Sequence, residues 1–162
     1  MKFLPEYQQY ASLALELALK EVTHLSYTHR TLFLQPIDIE RIKLLEEQEE
    51  FSEKIDAFVS RFGRLQDHIG EKLIPRFAAL VGETPKSLLD VLAFAEKMEW
   101  IESAETFISA RKLRNLLIHE YIANPKIFLE ALQAADKATL MLINIVEKIS
   151  QYAQTIDLIE KL

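Results

Sequence analysis

The stretch PKIFLEALQAADKATLMLINIVEKISQYAQTIDLIEKL, residues 125–162, decides the fold class. Its residues Phe128, Ala131, Ala135, Ala138, Leu142, Ile145, Ile149, Tyr152, Ile156 and Ile159 recur at alternating spacings of three and four. An α-helix turns once in ~3.6 residues, so this spacing draws one apolar stripe along a single long helix. Such a stripe has to be covered. The alanines of its first half permit close approach of a neighbour, and the later isoleucines demand a thicker partner, as in an antiparallel bundle or across a dimer seam. The core of a bundle is the simpler of the two readings.

Upstream of that helix the sequence reads as four more helical stretches. The first covers about residues 5–34, apolar through Leu13, Ala14, Leu17, Ala18 and Val22, and ends at Gln35-Pro36. The second begins near Asp38, a candidate N-cap, and carries Phe51, Ile55, Phe58, Phe62, Leu65 and Ile69. Gly70 and Pro75 should kink or interrupt its far end before Gly82 closes it. Thr84-Pro85 reads as cap and first residue of a short third helix reaching about Met98, and Ser103 caps the fourth. Asn124-Pro125 repeats that signal and opens the fifth.

With 162 residues, 49% of them apolar, and no shift of composition along the chain, one domain spanning 1–162 is expected. Three glycines and five prolines leave room for few turns, and no alternating β-branched runs occur. The fold class expected is therefore all-α, an up-and-down bundle of about five helices. Absence of cysteine rules out disulfides, thiolate metal sites and cysteine nucleophiles. Pro5 and Glu6 fall where a signal core would lie, and no charge-free stretch approaches a membrane span. A cytoplasmic protein with no membrane partner is the expectation.

Nineteen basic against 25 acidic residues give a net charge of −6, which disfavours a surface that coats polyanions constitutively. The acidic run Glu46, Glu47, Glu49, Glu50 is most simply a solvated helix face. The segment from Ser109 to His119 is the exception, with Arg111, Lys112 and Arg114 and no carboxylate. Any anion would be drawn there.

The fourth helix carries the run Arg111-Lys112-Leu113-Arg114-Asn115-Leu116-Leu117-Ile118-His119-Glu120-Tyr121. At about 100° per residue, Ala110, Leu113, Leu116 and Leu117 are expected to pack, and Arg111, Arg114, Asn115 and His119 to spread over the other side. Arg114 and His119 then lie roughly 140° apart, too far for a tight pair. Asn115, one turn before His119, is placed to fix the imidazole or a phosphate. A basic stripe near a helix C-terminus is also favoured by the macrodipole alone, and a tyrosine beside a loop often only seals a core.

The eight residues Arg114 to Tyr121 resemble the R-x-x-x-x-H-x-Y signature of HEPN-fold ribonuclease toxins paired with MNT-type nucleotidyltransferase antitoxins, including the Asn that follows the Arg. The similarity extends to Ser60-Arg61-Phe62-Gly63-Arg64-Leu65-Gln66-Asp67, Gly70-Glu71-Lys72-Leu73, Pro75 and Ile101-Glu102-Ser103-Ala104, so that about residues 50–150 take part. The resemblance implies a two-fold homodimer in which the motif Arg and His of both copies form a metal-independent RNase site with no cofactor. It assigns Arg114 and His119 as catalytic, Asn115, Arg111 and Arg64 as supporting or phosphate-binding, and Tyr121 as acceptor of AMP from the cognate nucleotidyltransferase. RNA, tRNA or mRNA, is the implied substrate. Proteins of this layout are also regarded as non-catalytic, substrate-binding companions of small nucleotidyltransferases, which is the alternative.

Other groupings carry less. Glu21 and His24 have E-x-x-H spacing, but a di-iron bundle needs a second such motif, and none occurs. Ala123 stands where a zinc-protease helix beginning His119-Glu120 needs its second histidine, so no metal site is expected. His24, His29 and Arg30 read as a solvated basic face. Arg61, Arg64, Asp67 and His68 read most simply as an ion-pair ladder within one helix, while Gly63 and Gly70 share a face open to close approach.

Overall fold

A computed structural model describes residues 3–121 and 123–158, and among these every regular element is helical. The helices are α1 (Pro5–Leu32), α2 (Ile39–Lys43), α3 (Glu49–His68), α4 (Ile74–Leu80), α5 (Leu88–Lys97), α6 (Ala104–His119) and α7 (Pro125–Thr155). The four long ones form a ring in which α1 and α6 each touch both α3 and α7. The shorter helices close its ends, α2 against α7 and α5 against α4 and α6. No helix of the described residues is long and apolar enough to cross a membrane.

The stripe on α7 is covered within this one chain. Phe128, Ala131, Ala135, Leu142, Ile145 and Ile149 are buried, so it is bundle core and not an open seam. The helix ends at Thr155, where Asp157 has φ of 55°, so Ile156 lies just past it, and Ile159 falls outside the described residues. The caps expected at three helices are present: Asp38 accepts from Arg41 N at 2.9 Å, Ser103 from Thr106 N at 3.2 Å and Asn124 from Ile127 N at 3.2 Å. Each satisfies an N–H that has no partner inside its helix.

Three boundaries differ from the sequence reading. The helix opening at Asp38 lasts only through Lys43; a 3-10 turn, Leu45–Glu47, and Gln48 separate it from α3. Thr84-Pro85 lies in the loop before α5, whose cap is Ser87, accepting from Asp90 N at 3.1 Å. The first helix stops at Leu32, with Phe33 as its C-cap. The interruption expected at Gly70 and Pro75 is present: a π turn, Ile69–Leu73, takes in Gly70 and separates α3 from α4, and the proline sits in the first turn of α4, where a missing N–H costs least. Gly82 ends that run at φ of 85°, a conformation glycine adopts without a Cβ penalty.

The polar residues of α3 do not form a ladder within their helix; they tie it to its neighbours. Arg61 reaches the His24 carbonyl at 3.1 Å and the Thr28 hydroxyl at 2.5 Å, both on α1. His68 meets the Ala14 carbonyl at 2.7 Å, and Arg64 pairs with Glu21 at 3.3 Å. His29, from the expected basic face, points inward: its Nε2 lies 2.6 Å from Asp136 Oδ1 on α7, with Phe33 and Phe58 beside the ring. Long helices crossing face to face present these groups to each other before they can reach along their own helix.

Candidate functional site

Helix α6 packs over two glycines, Gly63 of α3 and Gly70 of the π turn that follows it. A Cβ at Gly70 would stand 3.4 Å from the Phe107 ring, while one at Gly63 would stand 2.7 Å from Arg114 Nε. The two glycines share one face, and α6 uses it. With no side chain at Gly63, the arginine lies flat along α3 and reaches Asp67 one turn further on. Arg114 Nη1 donates to Asp67 at 3.0 Å from Oδ1 and 2.9 Å from Oδ2. The side chains are 35% and 30% exposed, so the guanidinium is held, yet water and ligands still reach it.

This corrects the reading of the α6 faces. Arg114 sits about 40° from Ala110 around the helix, closer to the packed side than Leu116 does. Phe107, Ala110 and Leu117 are buried and Leu113 is half-buried, but Leu116 is 38% exposed and Ile118 51%. The surface of α6 therefore mixes two large aliphatic side chains with exposed Arg111, Lys112, Asn115 and His119. The last turn of α6 contains His119, where the helix dipole favours positive charge. Among the described residues no hydrogen bond joins Asn115 to His119, and one chain does not bring His119 and Arg114 together, in keeping with their angular separation on the helix.

Tyr121 follows the C-cap Glu120 and turns inward. Its hydroxyl and Ser52 Oγ on α3 are 2.5 Å apart, and its ring stands edge-on to Phe128 of α7, centroids 5.2 Å apart. It lines a cavity of about 260 Å³ together with Ser52, Lys43, Glu46 and Glu49. Arg64 is not part of this grouping. It turns to α1, bonded to Glu21 and to Ser60 Oγ at 3.2 Å.

The residues that sequence reasoning did not assign to the site are Asp67 and Ser52. Asp67 had a signal, since it lies one turn after a glycine in a segment already singled out, but its partner is 47 positions away. Ser52 had none. Comparisons with family models, with curated proteins and with solved structures give no match. The structure is an all-α bundle in which the last three turns of α6, from Ser109 to His119, are cationic and free of carboxylates, and one of their arginines is anchored by a carboxylate of α3.

Proposed function

We propose that this chain is a HEPN-type, metal-independent endoribonuclease of a toxin–antitoxin pair, acting as a homodimer and silenced when a cognate MNT-type nucleotidyltransferase transfers AMP to Tyr121. The observation that carries this is the fixed Arg114: Asp67 holds one of its nitrogens, leaving other N–H groups of the fork for a phosphodiester. Arg111, Lys112, Asn115 and His119, exposed along the same helix, add positive charge and hydrogen-bonding groups to its surface. Exposed Leu116 and Ile118 offer apolar surface beside them, which suits a two-fold contact through α6.

In this reading the ribose 2′-hydroxyl attacks the adjacent phosphorus, the bond to the 5′-oxygen breaks, and a 2′,3′-cyclic phosphate and a free 5′-hydroxyl result. His119 transfers the protons, and Arg114 neutralises charge growing on the phosphoryl oxygens. Because one helix keeps those two side chains apart, His119 of a second copy is the one that faces Arg114. The RNA, tRNA or mRNA, meets the site from the cytoplasm. Arg64, paired with Glu21 of α1, supports substrate only as a background charge.

The separation of Arg114 from His119 favours one other reading for a monomeric chain: a non-catalytic companion that holds a nucleotide or tRNA phosphate for a small nucleotidyltransferase. Purified protein, one RNA and a chelator distinguish the two. The ribonuclease cuts with EDTA present and stops with His119→Ala; the companion binds and never cuts. Co-expression with the transferase should add one adenylyl mass to the Tyr121 peptide, and Tyr121→Phe should cut RNA while escaping control. Equal silencing of Tyr121→Phe would remove Tyr121 as the acceptor.

A further inference from the structure

The Tyr121 side chain is fixed at both ends. Its ring stands edge-on to Phe128 from α7, and its hydroxyl hydrogen-bonds Ser52 from α3, while its backbone belongs to neither helix. The residue is half-buried, and the hydroxyl end opens on the cavity of about 260 Å³ bounded by Lys43, Glu46 and Glu49. A phosphorus that is to receive the phenolic oxygen has to come within about 3–3.5 Å of it. Ser52 Oγ, at 2.5 Å, already takes one of the approaches to that oxygen and engages it in a hydrogen bond. Two carboxylates against one ammonium around the cavity also repel a polyphosphate.

We propose that Ser52 is a latch on Tyr121: the hydrogen-bonded side chain is unreactive, and it accepts an acyl or nucleotidyl group only after leaving Ser52. For AMP transfer the inference rests on Tyr121 being the acceptor. The step is a displacement at the α-phosphorus of ATP. Tyr121 Oη forms the new bond to phosphorus, the bond to the pyrophosphate oxygen breaks, pyrophosphate leaves, and the phenolic proton passes to a base of the transferase or to water. Ser52 does not touch ATP. It is a positioning residue that sets how much of the tyrosine is available, and so how quickly a newly made chain is silenced.

The latch is tested without the transferase by N-acetylimidazole, which acetylates accessible phenols, followed by mass spectrometry of the tyrosine peptides. Tyr10 and Tyr27, each 56% exposed, are internal references. In Ser52→Ala, Tyr121 should react about two- to tenfold faster, the range governed by one neutral hydrogen bond. The references should not change, and Ser52→Thr, which keeps a hydroxyl, should react like the original chain. A thermal melt lowered by no more than the roughly 2–4 °C that one hydrogen bond is worth separates this from general loosening. Unchanged or slower acetylation of Tyr121 in Ser52→Ala overturns the proposal. With transferase and ATP, AMP transfer should quicken in the same variant, and slower transfer would make Ser52 an assistant and not a latch. Faster acetylation with no AMP transfer to any form would leave the latch standing and remove the acceptor reading.

Discussion

Arg114 lies across the bare backbone of Gly63 and ends on the carboxylate of Asp67, one turn further along the same helix. Three residues of two helices thus act together: one leaves room, one spans it, one fixes its end. The arrangement makes the position of the guanidinium depend on a missing methyl group.

Gly63→Ala therefore separates stability from function. Alanine improves helix propensity by about 1 kcal/mol, and the atoms that a new Cβ would meet belong to a flexible side chain that can swing away. The melting temperature should hold, the propensity gain offsetting the loosened Arg114–Asp67 pair, while RNA cleavage falls by about a hundredfold, the scale of an ångström's misplacement. Cleavage at the original rate would show that the position of Arg114 does not matter to the chemistry.

His119→Ala and Arg114→Ala should both abolish cleavage but differ in the melt. His119 is exposed, so its removal costs nothing measurable. Arg114→Ala strips Asp67 of its partner and should cost about 1 kcal/mol, the pair being partly open to water. Arg114→Lys should regain part of that stability and little activity, since an ammonium lacks the planar fork. Full activity in any of the three, measured on purified RNA, would exclude the assigned roles.

Leu116→Asp tests assembly. The side chain is 38% exposed in the single chain, so the folded monomer should tolerate the charge, and circular dichroism should not change. A two-fold contact through α6 would not survive an uncompensated carboxylate in its centre. Light scattering should give twice the chain mass before the substitution and the chain mass after it, with cleavage lost. A monomeric, active original chain would end the composite-site reading.

Tyr152 gives the stability an alkaline limit. It stands among Phe77 and Trp100, ring centroids 6.3 and 5.4 Å away, and burial pushes its hydroxyl above the ordinary 10.0. A raised value means the folded state holds the proton more tightly than the unfolded one. The associated stability is complete below pH 10 and is lost as pH rises through the folded-state value. Tyr152→Phe should flatten the fall of melting temperature above pH 10; an identical slope would place the alkaline limit elsewhere.

The all-α class, the long α7 stripe and the caps at Asp38, Ser103 and Asn124 were legible in the sequence because each depends on spacings of three or four residues. A helix folds by local bonds, and local bonds leave local patterns. The cationic, carboxylate-free run from Ser109 to His119 on α6 was legible directly from its composition. The direction of each side chain was not. Arg114 packs along α3 because that helix offers a glycine at one point of the crossing, and Leu116 is left as exposed as the arginine; a periodicity argument sees only the helix that bears the residue. Arg61, Arg64 and His68 reach α1 and Asp67 reaches α6, across separations of 37 to 54 positions. Ser52 and Tyr121, 69 apart, meet only when α3 and α7 enclose the turn after α6. Their juxtaposition is a property of packing, set by which long helices share a face, and no local pattern encodes it.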